Sequence, residues 1–308
     1  MISKPMDVLE NHEIRKTKKQ KTAFIEAVTG YAEQLRYPCN VEKGSLGSRN
    51  IVFGNPEQAE YLITAHYDTP ASIGLPNFIT PCNFIMFILY QILLVGVFAL
   101  VAIGAGVLVG VLSGSSALAF GVAYVVYFGA LVLLMIGPAN RHAANDNTSG
   151  VVTVLETMAS VPQHLRQRVC FVLFDLEEAG LIGSSSYRKA HKNSTKHQLV
   201  LNLDCVGDGN HILLFPGRKV KKDDSKITAL RSLVSDDGEK TVSVVEKGFA
   251  YYPSDQKNFP FGVGIAALHR TKGIGYWLGR IHTCRDVVLE QENVTLLRNK
   301  LLRLINNT

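Results

Sequence analysis

The sequence predicts an α/β protein with a mixed, mostly parallel central sheet flanked by helices, into which a two-helix transmembrane hairpin is inserted. Three observations lead there. Short β-branched runs alternate with helical stretches, the pattern of a sheet covered on both faces. Charged residues make up 19% of the 308, yet none occurs in the 72 residues from Thr69 to Asn140. Acidic and histidine residues gather where the apolar runs end, the edge at which open α/β sheets bind ligands. The 47% hydrophobic content and mean hydropathy of +0.12 exclude a disordered chain, and the charge outside the gap excludes a pure membrane bundle.

Taken in order, Ser3 to Leu35 reads as one helix, with Ile14, Phe24, Ile25, Val28 and Leu35 at loosely helical spacing. Strands follow at Ile51 (IVFG) and Tyr61 (YLITAHYD), parted by the turn residues Gly54, Asn55 and Pro56. Beyond the uncharged insertion, Val151 to Val161 is helical and Arg168 to Asp175 is a buried strand. A helix from Gly180, a strand from His197 and apolar runs at Ile212 and Ile265 come next, and a helix from about Gln291 to Ile305 closes the pattern.

Within the gap, Asn83 to Leu112 supplies 30 nearly apolar residues and Ala117 to Gly137 supplies 21, joined by Ser113, Gly114, Ser115 and Ser116. At 1.5 Å per residue each crosses a bilayer core of about 30 Å. Gly106 and Gly110 form a GxxxG step suited to close helix approach. A buried soluble hairpin is the alternative, opposed by the absence of a polar face on either helix. The expected organisation is therefore one α/β unit from 1–81 and 139–308, with a hairpin at 82–138.

Two spans return the chain to its starting side. Lys16, Lys18, Lys19, Lys21 and Arg141 lie there while the tip is uncharged, so the positive-inside bias predicts a cytoplasmic catalytic domain. The polar, basic N-terminal stretch has no apolar core, which predicts no secretory signal peptide. Five scattered cysteines without a C-x-x-C pair argue against a disulfide framework or a zinc–thiolate site, and for a reducing compartment. The net charge of +6 is dispersed apart from Lys16 to Lys21 and Lys219 to Lys222, which reads as a solvated face or attraction to anionic lipid, with no nucleic-acid partner.

Five polar clusters mark the chemistry. In Ala65-His66-Tyr67-Asp68-Thr69, residues two apart along a strand point the same way, so Asp68 is placed to orient the ring of His66. A structural histidine is the alternative. Asn145 to Gly150 reads equally as a helix-capping loop or as a loop presenting Asp146. In Asp175-Leu176-Glu177-Glu178, adjacent carboxylates diverge, so one can coordinate a metal while the other moves a proton; an acidic helix start is the competing reading. Asn202 to Gly207 brings Asp204 to a strand end, and Ile281 to Asp286 adds His282 beside an acid. Two histidines and three to four carboxylates form an N/O donor set suited to zinc, with manganese or cobalt as alternatives.

The ordered motifs H-Y-D-T, N-D-N-T-S-G, E-E-A-G-L-I-G-S, N-L-D-C-V-G and H-T-C-R-D resemble the zinc-dependent aminopeptidases of the bacterial leucyl aminopeptidase and aminopeptidase Y family, whose fold includes glutaminyl cyclase. The match runs from Tyr61 to about Asp286. The resemblance implies a zinc exopeptidase fold holding two zinc ions bridged by Asp146. His66 and Asp204 would bind one ion, and Glu178 and His282 the other. Glu177 would be the general base and acid. It places Asp68 and Asp286 behind the ligands and makes Tyr251, Tyr252, Ser254, Asp255 and Gln256 substrate-pocket candidates, Gln256 standing where the family has His. Tyr276 is, with Tyr251 and Tyr252, a candidate for stabilising the oxyanion. The implied activity is hydrolysis of N-terminal residues from peptides, including membrane-associated ones. A single-zinc acyltransferase resembling glutaminyl cyclase and a non-catalytic membrane-bound peptide-binding protein are the alternatives. The hairpin either shapes substrate choice or tethers or oligomerises the enzyme.

Overall fold

The computed structural model describes residues 2–72, 74, 75 and 77–307. The N-terminal region forms two helices, α1 (Asp7–His12) and α2 (Lys18–Gln34), where the sequence predicted one. The break has a local cause. The Thr17 hydroxyl accepts the Gln20 N–H while the Gln20 side chain accepts the Thr17 N–H, a capping box that starts a new helix. The intervening chain turns Arg15 fully into the core.

An antiparallel pair follows, β1 (Cys39–Lys43) and β2 (Arg49–Phe53), then β3 (Tyr61–His66). The hairpin helices α3 (Phe84–Ser113) and α4 (Ser116–Ile136) begin at Asn83 and Ser115, whose side chains accept the N–H of Met86 and Leu118. The remaining order is α5 (Gly150–Ser160), β4 (Val169–Phe174), α6 (Ile182–Ala190), β5 (Leu199–Leu203), β6 (His211–Pro216), α7 (Asp224–Arg231), β7 (Ser235–Asp236), β8 (Thr241–Val244), β9 (Gly262–Thr271), β10 (Gly275–Trp277) and α8 (Gln291–Asn307).

The strands form one mixed sheet, ordered β1-β2-β4-β3-β5-β9-β6-β8-β7, with β10 on β9. Its centre, β4-β3-β5-β9, is parallel, as the alternating pattern predicts; the antiparallel pairings lie towards both edges, apart from the parallel pair β6 and β8. The register sets His66 beside Phe174 and Thr64 beside Asn202, so β3, β4 and β5 end together. That shared end carries the site.

One sheet face is closed by α2, α5 and α8, burying Phe24, Val28, Leu155, Leu297 and Leu301 against Ile63, Phe171 and Leu201. On the opposite face Val172, Phe174, Tyr187 and Phe259 pack together, and nearer β6 and β9 so do Phe215, Tyr252, Ala266 and Leu278. Burial of such side chains contributes about 1.5–3 kcal/mol each, which holds the strand ends rigidly.

The two long helices are long and apolar enough to cross a membrane and are left uncovered: 11% of the most apolar window of α3 and none of that of α4 is buried. They pack on each other at the GxxxG step. A Cβ at Gly106 would come within 2.6 Å of the Ala119 carbonyl oxygen, and one at Gly110 within 3.0 Å of the Ala119 Cβ. All five cysteines are free.

Candidate metal centre

His66 ends β3 and is buried. Its Nδ1 lies 3.2 Å from the main-chain oxygen of Asp68 and 3.6 Å from that residue's carboxylate. A carbonyl only accepts, so the contact makes Nδ1 a donor and turns Nε2 towards the site. The Asp68 carboxylate also reaches the acidic loop after β4, where its two oxygens accept the main-chain N–H of Glu177 at 3.0 Å and of Glu178 at 3.2 Å. It orients that loop as well as the imidazole.

Asp146 stands in a buried turn before α5, joined to Asn147 by a cis peptide bond. Asp286 accepts the N–H of Asn145 at 2.7 Å and of Asp146 at 3.1 Å, the counterpart on this side of what Asp68 does for the glutamates. Asn145 accepts the Gly207 N–H at 2.7 Å, and Asn147 donates to the Leu203 carbonyl at 2.9 Å while accepting the Cys205 N–H at 3.2 Å. The second and fourth motifs are thus laced together by amide side chains. Leu176, Cys205 and His282 have positive φ of 55°, 56° and 59°, conformations disfavoured for side-chain-bearing residues; Leu176 adjoins Glu177, Cys205 adjoins Asp204, and His282 is itself a candidate ligand.

The polar atoms converge on two points. His66 Nε2 is 3.3 Å from Asp146 Oδ1 and 3.7 Å from Asp204 Oδ1; His282 Nε2 is 3.1 Å from Asp146 Oδ2 and 3.7 Å from Glu178 Oε2. Each set has its three ligand atoms within 4.8 Å of one another, and Asp146 belongs to both. Atoms bonded to one zinc at 2.0–2.2 Å in tetrahedral directions stand about 3.3–3.6 Å apart. A third group, His66 with Glu177 and Glu178, meets the same 4.8 Å limit, so the cluster is of a kind to hold divalent metal.

Its electrostatics agree. Burial pushes Glu178 up to about 8, with His282 opposing it and Asp146 reinforcing it, and raises Glu177 well above the usual range, His66 opposing and Glu178 reinforcing. Burial also raises Asp286 and Asp255, each to about 7. For His66 burial acts against protonation, but Glu177, Asp146, Asp204 and Asp68 outweigh it and raise the ring. Asp146 is held low by both histidines despite its burial. The raised values record how costly it is to crowd these carboxylates in a buried site, and a cation placed among them would favour their ionised forms.

The pocket candidates separate into groups. Tyr252 donates its hydroxyl to the Asp204 carbonyl at 3.1 Å, and Ser254 and Gln256 accept from the Asn202 amide at 3.0 and 3.2 Å, so these three tie their loop to β5. Asp255 is wholly buried within the field of His66 and Glu177. Tyr251 is exposed, its ring 5.3 Å from that of Phe87 at the root of α3. Tyr276 lies in β10 with its ring 5.4 Å from that of His211.

Several supporting residues carry no local signal in the sequence. Arg15 donates to the Tyr67 carbonyl at 2.5 Å and the Thr148 hydroxyl at 3.1 Å, bridging the chain segments behind His66 and Asp146. Lys21, expected on a solvated or lipid-facing surface, is buried instead and pairs with Asp175 at 2.5 Å. Asp175 in turn accepts the Arg49 N–H at 3.0 Å, so α2, β2 and the acidic loop share one carboxylate.

The family described as Peptidase family M28 matches residues 126–300, more than half of the chain, including Asp146, Glu177, Glu178, Asp204 and His282 but beginning after His66. Among solved structures, the LapA aminopeptidase of Legionella pneumophila superposes with a TM-score of 0.59 at 14% identity, covering 98% of this chain and 66% of that one. LapB of the same organism gives 0.55 at 15%, with 98% and 68% covered, and a structure described as PhTET1-12s, dodecamer, gives 0.51 at 10% with 99% of each covered. At these identities the likeness is one of fold, and this chain spans about two thirds of the length of the Legionella proteins. No curated protein sequence matches the chain.

Proposed function

The chain belongs to peptidase family M28, and from that premise we propose that it is a membrane-anchored aminopeptidase working with two zinc ions, with manganese or cobalt as possible substitutes. The observation that carries this reading is the Asp146 carboxylate, whose two oxygens face His66 and His282 separately. His66 and Asp204 would hold one ion and Glu178 and His282 the other. When bound, such ions supply Lewis acidity, lowering the pKa of a coordinated water and offsetting negative charge on the substrate carbonyl. The two triads that share Asp146 favour hydrolysis over acyl transfer at a single zinc.

Glu177 is the proton carrier in this scheme. It is fixed at its main chain by Asp68 and enclosed by other acids, surroundings that favour its binding a proton. It takes a proton from the attacking water and returns it to the nitrogen of the leaving amine, so the carboxylate is restored at the end of each turnover. The peptide substrate contributes the carbonyl and the free amino terminus.

The hairpin supports a bilayer-proximal site. A Cβ built on Gly180, two residues after Glu178, would lie 3.8 Å from the Met135 side chain at the end of α4, and the Lys16 ammonium donates to the Met135 carbonyl at 3.0 Å. If α3 and α4 cross a membrane with the domain on the cytoplasmic side, the acidic loop sits at the membrane surface, and membrane-associated peptides are the substrates of choice. The direct test pairs metal analysis of detergent-purified protein with a panel of amino-acid arylamides. Two ions per chain and release of arylamine support the proposal; one ion, or no arylamine from any substrate, overturns it. A splice replacing residues 82–138 should lower activity on membrane peptides while sparing arylamides; unchanged activity on both would leave the hairpin no part in substrate choice.

A further inference from the structure

The polypeptide from Phe215 to Lys219, after β6, and that from Ala250 to Gly262, before β9, enclose a cavity of about 350 Å³. Three cations line it: Arg218, Lys219 and Lys257. No acidic residue does, and all three are exposed without an ion-pair partner among the described residues. Two cations of the adjacent α7 are paired instead. Lys226 pairs with Asp223 and Arg231 with Glu246. Three positive charges lining one pocket, with no acid among the lining residues, favour an anion there.

Its place in the fold says which anion. The Lys257 ammonium sits 3.8 Å above the Tyr251 ring, which also lines the cavity. That ring packs 5.3 Å from Phe87 in the first turn of α3, and the Tyr251 N–H donates to the Pro81 carbonyl at 2.9 Å. Phe84 and Phe249 extend the aromatic contact, with ring centroids 5.1 Å apart. Aromatic rings beside the entry of an apolar helix sit at the level of lipid headgroups. The cations are therefore presented where phosphates of the facing leaflet lie.

We propose that this cavity binds the phosphate of an anionic lipid headgroup, with Arg218, Lys219 and Lys257 as its donors and Tyr251 as its apolar wall. The proposal rests on α3 and α4 spanning a bilayer. Bound there, the lipid would hold the loop that carries Tyr252 to Gln256 against the membrane surface, beside the metal ligands.

The test uses the full chain, reconstituted into vesicles of phosphatidylcholine with or without phosphatidylglycerol, then extracted and examined for retained lipid by native mass spectrometry. The wild type should retain phosphatidylglycerol in preference to phosphatidylcholine. R218Q/K219Q/K257Q should lose that retention by about tenfold or more. A variant with the same charge loss elsewhere, K189Q/K192Q/K196Q, should keep it. Unaltered melting of both variants shows that they fold. Equal retention of the two lipids, or equal retention by the two variants, overturns the lipid site while leaving the spanning helices in place. Inorganic phosphate or an acidic peptide bound at the cavity without any phosphatidylglycerol overturns lipid as the ligand. A chain that fails to float with either vesicle overturns the spanning helices and this proposal together.

Discussion

The Asp68 carboxylate accepts the main-chain N–H of Glu177 at 3.0 Å, joining the segment after β3 to the loop after β4. With its other oxygen on Glu178 and its own main-chain oxygen on His66, one residue orients two candidate ligands and the proposed base. Asp68→Asn exchanges an acceptor oxygen for a donor that meets the N–H of a glutamate head-on. Turnover should fall by about 10–100-fold with metal largely retained. Steady-state kinetics beside metal analysis check this, and wild-type turnover would remove Asp68 from the mechanism.

Glu177→Gln preserves shape and removes the proton carrier. The variant should keep its full metal content and lose about 10²–10⁴-fold in kcat. Cleavage of arylamides at the parental rate would show that another group carries the proton.

Asp146→Ala should act on metal content instead. It removes the carboxylate that faces both imidazoles, and a buried His66 and a part-buried His282 are left facing each other across the gap. Metal analysis should find well under one ion per chain. Two ions retained would mean that the bridge lies elsewhere.

The contrast between these variants bears on what the sequence alone could reveal. His66, Glu178 and Asp204 could be picked out as candidates because each follows an apolar run, and the parallel register of β3, β4 and β5 brings those three ends together; Asp146 and His282 sit in loops and were marked by their motifs. The uncharged gap was legible for the same reason, since hydropathy is a local property. Arg15, Lys21 and Asn147 were not, because their partners lie far along the chain at Tyr67, Asp175 and Leu203. Lys21 shows the limit well: a lysine among lysines looks solvated until a distant aspartate is known to cover it. The short strands β7, β8 and β10 escaped notice because they are at most four residues long and largely only part-buried.

Away from the site, His191 bridges Glu42 at 2.9 Å and Glu57 at 3.0 Å, linking α6 to β1 and to the chain before β3. The hydrogen bond to Glu42 raises the imidazole pKa, burial opposes it, and Glu57 adds to the rise. A raised folded-state pKa stabilises the protein fully below the unfolded value near 6.5 and loses that contribution as pH climbs through the folded value. His191→Gln should therefore cost about 0.5–1 kcal/mol at pH 6 and much less at pH 9. Melting curves of both proteins across that range decide it; a deficit that grows with pH would contradict the assignment.

The hairpin offers a test in which one substitution gives opposite results at two glycines. Gly96 in α3 has open space where a Cβ would lie, whereas at Gly106 the same atom would approach the Ala119 carbonyl oxygen to 2.6 Å and the Ala123 Cβ to 3.0 Å. The Ala119 oxygen is backbone within a second helix and cannot rotate away, so α3 and α4 must separate along their length. Gly106→Ala should destabilise the detergent-solubilised protein by about 1–3 kcal/mol through overpacking. Gly96→Ala should leave it unchanged or stabilise it by about 0.5–1 kcal/mol, because alanine is the better helix former. A melt monitored through the hairpin tests both. Equal effects at the two positions would mean that α3 and α4 do not pack through the glycine step.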